Sequence, residues 1–313
     1  MILVDNVSKT MFQERMKTKI EKMVIDHVTF HIPKGKIVGV IGGAEDEKRF
    51  LLKMMIGGLL PDEGNVYING KNVARHQKEI GTYTTTVFAT ISNMLDEATL
   101  DTCLYITKKM YHLSKEFNQR QREMLNFYLG TDSILNKTKE EMSLGESARS
   151  NLAISLLPNP KLLILEEPFL GIDVVYRQKA IKCIKKLVHE TGMTVVLATS
   201  QMADIKKLCD RVLVLNRGKK QYYGTVDYLE AKYLYHREIV FEIMNRFPDF
   251  EDLLIEHVTL TNQQVHVQYD SRRISAKTII DHVLNQCNVK NINVNELSLD
   301  EALIRLQGGR EDG

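Results

Sequence analysis

The chain has 313 residues, room for one large domain and one small one. Its 43% hydrophobic and 26% charged residues are ordinary for a globular protein, and a formal net charge of +2 argues against nucleic acid as a partner. No apolar run approaches the ~18 residues that span a bilayer, and the start, Met1-Ile-Leu-Val-Asp5, lacks the basic and apolar regions of a signal peptide.

In chain order, Ile2 to Val7 and Met23 to Ile32 read as strands, with a polar loop from Met11 to Glu21 between them. Ile37-Val-Gly-Val-Ile41 is a β-branched run of the kind a fully buried strand carries. Gly42 and Gly43 follow, then Lys48, then an amphipathic helix with Phe50, Leu51, Leu52, Met54 and Met55. Gly57-Gly58 stops it. Asn65 to Asn69 is a strand closed by an Asn69-Gly70 hairpin turn. Ile80 to Thr84 reads as another strand. From Ala98 to Leu129 the period becomes helical: Leu100, Leu104, Ile106, Met110 and Leu113 mark one helix, and Phe117, Met124, Phe127 and Tyr128 a second. Strands resume at Lys161 to Leu165, Thr194 to Thr199 and Arg211 to Asn216, with helices at Val174 to Glu190 and Gln201 to Cys209. This alternation predicts a mostly parallel sheet with helices on both faces.

A linker helix is expected over residues 225–236, then a small α+β domain over 237–308. Its strands are Glu238 to Ile243, His257 to Leu260, Val265 to Tyr269 and Val289 to Val294, the middle pair joined by a Thr261-Asn262 turn. Its helices are Ser275 to Cys287 and Leu299 to Leu306, and residues 309–313 form a tail. Cys103, Cys183, Cys209 and Cys287 are far apart and read as reduced core thiols. Met54, Met55, Met94 and Met110 read as packing residues, not ligands.

Strand, glycine turn, lysine and helix form the layout of a phosphate-binding loop, G-x-x-x-x-G-K-[ST]. Counted from Gly42, the second glycine position holds Glu47, the lysine is Lys48 and the Ser/Thr position is Arg49. Downstream, Met142-Ser-Leu-Gly-Glu146 opens a helix. Leu162-Leu-Ile-Leu-Glu-Glu-Pro168 is an apolar strand ending in two carboxylates, followed by Gly171-Ile-Asp173. Val195-Val-Leu-Ala-Thr-Ser-Gln201 is a further strand with a polar end. In this order the stretches resemble the phosphate loop, signature motif, Walker B strand, D-loop and switch of an ABC transporter ATP-binding subunit, from about Ile2 to Gly224. The signature variant and the small C-terminal domain resemble those of exporter subunits.

The resemblance implies an α/β P-loop NTPase fold: a mostly parallel core sheet, an antiparallel β subdomain, and a helical insertion over about residues 89–139 that docks a permease. It implies backbone N–H groups and a lysine around the ATP phosphates. A Ser/Thr hydroxyl and a Walker B Asp would hold Mg²⁺, and the next Glu would polarise water. A glutamine and a histidine would sense the γ-phosphate. Two subunits would sandwich ATP, each lending its signature Ser and Gly to the other.

Carried onto this chain, the nucleotide-binding positions are Gly42, Gly43, Glu47, Lys48, Arg49 and Phe50. The metal candidate is Glu166 and the candidate base Glu167. The signature is Ser143, Leu144, Gly145 and Glu146, the D-loop residue Asp173, the switch position Ser200. The adenine-stacking position falls at Met11 or Phe12. The departures gather in the chain's own site. Glu47 adds bulk and charge where phosphate must approach, and one such charge pair at ~4 Å repels by roughly 4 kcal/mol at an effective dielectric of ~20. Glu45 and Asp46 stand beside it. Arg49 cannot ligate a metal. Glu166 is one methylene longer than Asp. The glutamine position near Thr84-Thr85-Thr86 holds none, and Ser200 replaces the histidine. Arg49 or Lys48 is expected to pair with Asp46 or Glu47.

The expectation is therefore a degenerate ATPase subunit of a membrane transporter, an exporter by resemblance, at the inner face of the cell membrane. Its partners would be a permease and an ATPase subunit with intact motifs, and its own ATP and Mg²⁺ binding would be weak. Two other readings stand beside it: an active homodimeric transporter ATPase, and a non-transport interaction protein of the same fold.

Overall fold

The computed structural model describes residues 1–296 apart from 16, 17, 43, 234, 245 and 262; the side chains of 12–20, 45, 230–233, 236 and 296 are not described either. Expectations for Gly43, the Phe12 side chain, Asn262, the helix from Leu299 and the tail lie outside the described residues. The chain divides into two compact units, Met1–Gly224 and a second beginning at Thr225.

The first unit opens with β1 (Ile2–Arg15) and β2 (Thr18–Ile32), an antiparallel pair. The expected loop over Met11 to Glu21 is strand instead: the ladder runs on through Met11 to Lys22 and Glu14 to Lys19. Its polar composition reads as loop because it lacks the half-apolar alternation by which a strand is recognised. Then come β3 (Ile37–Gly42) and α1 (Glu45–Met55). β4 (Glu63–Ile68) and the two-residue β5 (Lys71–Asn72) form the hairpin expected around Asn69-Gly70. Next is α2 (Val73–Gly81), capped by the Asn72 side chain, which accepts from the Arg75 N–H at 3.3 Å. The expected strand begins at Ile80, where this helix still runs to Gly81, and the residues before it carry no expectation. Only Val73 and Ile80 on it are buried, too few to show a helical period. The strand itself is β6 (Thr84–Val87).

The insertion carries α3 (Leu100–Met110) and α4 (Lys115–Leu129). Two residues that mark these helices in the sequence face outward: Met110 is 69% and Phe127 68% exposed. After two short 3-10 turns come α5 (Leu144–Leu156), β7 (Leu162–Glu166), α6 (Val174–Thr191), β8 (Thr194–Ala198), α7 (Met202–Leu208), β9 (Arg211–Asn216) and β10 (Lys219–Thr225).

The central sheet has the order β10-β9-β3-β8-β7-β6, and β3, β6, β7, β8 and β9 run parallel. Parallel strands are covered on both faces, which is why Ile37–Ile41, Leu162–Glu166 and Thr194–Ala198 are buried without alternation. Each fully buried Val, Ile or Leu there contributes roughly 1.5–3 kcal/mol. A second sheet, β2-β1-β4-β5, lies across α1. One cluster joins Ile2, Val28 and Ile68 of that sheet, Leu51, Leu52 and Met55 of α1, and Val40, Ile164 and Val196 of the central sheet. The helix that follows the glycine turn is therefore clamped between two sheets.

The second unit holds α8 (Val226–Tyr233), β11 (His236–Ile243), β12 (His257–Thr261), β13 (Gln264–Asp270), α9 (Ala276–Gln286) and β14 (Val289–Glu296). Its antiparallel sheet has the order β12-β13-β11-β14. Ile239, Phe241, Val265, Val267 and Tyr269 pack on Ile279 and Val283 of α9, giving this unit its own core.

Candidate functional site

Parallel strands all present their C-terminal ends along one edge, where α/β sheets place their sites. The register fixes what meets there. Val40 pairs with Ala198, and Ala198 with Glu166. Gly42, Glu167, Thr199 and Ser200 thus lie one or two residues beyond a common level, and α1 starts from the same edge.

The helix entrance is crowded with charge. Glu47 is 5% exposed and its Oε2 has no hydrogen-bond partner among the described residues. Lys48 is also buried, and Phe50 is half-buried. Acid side chains in a helix's first turn interact favourably with its dipole, as a bound phosphate would. Asp46 and Glu47 occupy that role covalently.

Arg49 does not pair chiefly within its own turn, as the sequence leads one to expect. Its Nε donates to Glu166 Oε1 at 2.7 Å, whereas its Nη1 lies 3.9 Å from Asp46 Oδ1. Helix geometry explains the choice. Arg49 faces the sheet, and Glu166, 4% exposed at the end of β7, is the buried charge that most needs a partner. The other Glu166 oxygen accepts the Ala89 N–H at 3.3 Å. Ala89 stands just past β6, beside the carboxylate. Thr84 to Thr86, near which a sensor glutamine is expected, lie within β6.

Glu167 has a left-handed backbone, φ +43°, which costs a non-glycine residue about 1–3 kcal/mol. Its N–H donates to Ala198 O at 2.8 Å, and its carboxylate accepts from Thr199 Oγ1 at 2.9 Å and from the Ser200 N–H. The switch segment thus holds the candidate base through a hydroxyl and a backbone amide.

The signature residues form a second cluster. Ser143 caps α5: its Oγ accepts the Glu146 N–H at 3.3 Å, and Glu146 Oε2 accepts the Ser143 N–H at 2.9 Å, a reciprocal capping box. Glu146 Oε1 accepts from Lys137 Nζ at 2.7 Å. Lys137, then the Ser143 amide, hold the Glu146 carboxyl far below its ordinary range, at about 2. A Cβ on Gly145 would sit 2.4 Å from Gly171 O, and one on Gly171 would sit 2.5 Å from Leu144 Cγ. Signature and D-loop therefore touch through two glycines. Asp173 caps α6, accepting from the Val175 and Tyr176 N–H groups at 3.0 Å. Leu144, Leu170, Val174 and Val175 are exposed around this contact.

A family model for ABC transporters matches residues 25–170. The energy-coupling factor transporter ATP-binding protein EcfA2 of Acetivibrio thermocellus is 30% identical over 212 residues, 67% of this chain and 75% of that protein. The chain belongs to the ABC transporter ATP-binding family. The methionine import ATP-binding protein MetN 1 of Oceanobacillus iheyensis is 25% identical over 301 residues, covering 93% of this chain and 85% of its own length. Among solved structures, a dimeric ATP-binding cassette in a post-hydrolysis state, bound to ADP and Pi, superposes with a TM-score of 0.64 at 21% identity, over 72% of this chain and 99% of that one. The fold is thus that of an ABC ATPase, a P-loop NTPase cassette.

Cassettes of this family bind ATP with Mg²⁺, and the residues of this chain's loop do not fit that pair. Both Glu166 oxygens are already engaged, one by a guanidinium. Arg49 offers no lone pair to a metal. Glu47 places a buried carboxylate where a phosphate must come within contact distance of backbone. Sequence reading found Glu47, Arg49 and Glu167 but missed Ala89, Thr199 and Lys137. These three act through a backbone N–H, a threonine hydroxyl and a surface ammonium, and no spacing marks them.

Proposed function

We propose that this cassette is the non-hydrolysing ATP-binding subunit of a membrane transporter, and that it completes the working site of a second subunit with intact motifs. The reading rests on one contrast. On the chain's own face, Arg49 is bonded to Glu166 and Glu47 is buried at the entrance of α1. On the opposite motif, Ser143 and Gly145 keep a capped helix start packed on the D-loop, with Leu144, Leu170, Val174 and Val175 exposed beside it.

The permease is the second partner. A groove of ≈ 350 Å³ between β6 and the insertion is lined by Thr84, Asn93, Leu95, Cys103, Thr107 and Met110. Its exposed Met110 and Leu95 suit an apolar segment of another chain. Among the described residues no helix is long and apolar enough to cross a membrane, so on this reading the chain reaches the inner face of the membrane through that groove. Outward transport is part of the reading on the strength of the Ser-Leu-Gly signature and the C-terminal unit. The relative that matches most of the chain is named for import, so transport measured in inside-out vesicles of the assembled complex assigns the direction.

The test is direct. Titrated with ATP and Mg²⁺, the purified chain is expected to show neither micromolar affinity by calorimetry nor phosphate release. Binding at that strength with turnover would overturn the reading in favour of an active homodimer.

A further inference from the structure

The misfit between this site and magnesium has a specific agent. Arg49 Nε reaches Glu166 Oε1 at 2.7 Å across 117 residues of sequence, and the same guanidinium touches Asp46 at 3.9 Å. Glu166 is 4% exposed, so water does not neutralise its charge, and the remaining oxygen is taken by the Ala89 N–H at 3.3 Å. We propose that Arg49 is the resident cation of the Glu166 carboxylate, standing where a divalent metal would have to stand. The site then keeps one charge state whatever the magnesium concentration. A divalent ion would have to displace a hydrogen-bonded guanidinium from a buried carboxylate and then sit beside its positive charge.

The consequence is mechanical as well as electrostatic. Arg49 belongs to α1, which the glycine turn launches, and Glu166 ends β7. The ion pair ties helix to strand permanently, at the place where a metal nucleotide would tie them only while bound. Glu47, buried with an unpartnered oxygen at the same helix entrance, supplies the negative charge that a phosphate would bring. The cassette therefore holds a nucleotide-independent conformation of its own phosphate loop. This inference rests on the reading that the chain does not turn over ATP at this site.

The experiment uses the full chain and manganese as the metal probe, followed by the loss of the free-ion electron paramagnetic resonance signal. The wild-type chain is expected to bind no manganese that Glu166→Gln abolishes. Arg49→Ser, which removes the cation and restores a hydroxyl, is expected to bind it at least about ten-fold more tightly than wild type, and the double variant Arg49→Ser/Glu166→Gln to lose that gain. Arg49→Gln removes the cation in a longer polar side chain and is expected to gain the same Glu166-dependent binding, while Arg49→Lys is expected to stay metal-free, which holds the test open if the serine variant fails to fold. Glu166-dependent manganese binding by the wild-type chain, or a folded Arg49→Ser chain that gains none, would overturn the inference. ATP turnover by the wild-type chain would instead strike the functional reading, so the two failures are separable.

Discussion

At the scale of single residues, the proposal turns on one ion pair. A buried pair is weak support for stability as a whole, but removing one member strands the other without water. Arg49 is about one-fifth exposed and Glu166 almost fully buried. Arg49→Ala is therefore expected to cost roughly 3 kcal/mol in urea unfolding. The apolar double substitution Arg49→Met/Glu166→Leu should recover most of that, because both charges leave together. If the single substitution proves neutral, the guanidinium is not what neutralises Glu166. The pair was also the least legible feature of the site. Glu47 and Arg49 could be read as departures from a local motif. No local pattern announces that Arg49 reaches β7, since the partner is chosen by the fold. Glu167 was legible by its place after the apolar strand, but Thr199 and the Ser200 amide, which hold it, were not.

At the scale of elements, the start of α5 is the part of the signature that chemistry can probe without a partner. Lys137 and the Ser143 amide bond the ionised Glu146 carboxylate and hold its pKa at about 2 against an ordinary 4.5. A depressed carboxyl pKa gives stability that is complete above the unfolded value and disappears as pH falls through the folded one. Protection of the first-turn amides of α5 from hydrogen exchange is thus expected to weaken as pH falls from about 4.5 toward 2. Glu146→Gln should flatten that dependence, and a profile unchanged by the substitution would count against the capping account. Legibility at this scale followed burial. The strands buried on both faces showed themselves as unbroken apolar runs, and the fold class followed from them. The polar end of the β1–β2 hairpin and the short, mostly exposed α2 did not, because neither buries enough side chains to leave a period. The Asn69-Gly70 hairpin was legible because its turn chemistry is local.

At the scale of the molecule, the proposed function divides the chain's two halves of nucleotide chemistry. At the C-terminal edge of the central sheet Arg49 bonds Glu166 and Glu47 is buried, while the start of α5 is capped by Ser143 and bordered by exposed Leu144, Leu170, Val174 and Val175. The second unit has a core of its own around Phe241 and Tyr269, and the groove beside α3 is the proposed permease site. The proposed asymmetric dimer rests on this division. A homodimer would place two filled sites opposite two signatures and leave neither able to turn over. The most direct measurement is ATP turnover by the complex assembled with its partner ATPase and permease, with the Walker B glutamate replaced by glutamine in one subunit at a time. The account predicts that Glu167→Gln in this chain leaves turnover unchanged and that the equivalent change in the partner abolishes it. Loss of turnover from Glu167→Gln alone would contradict it.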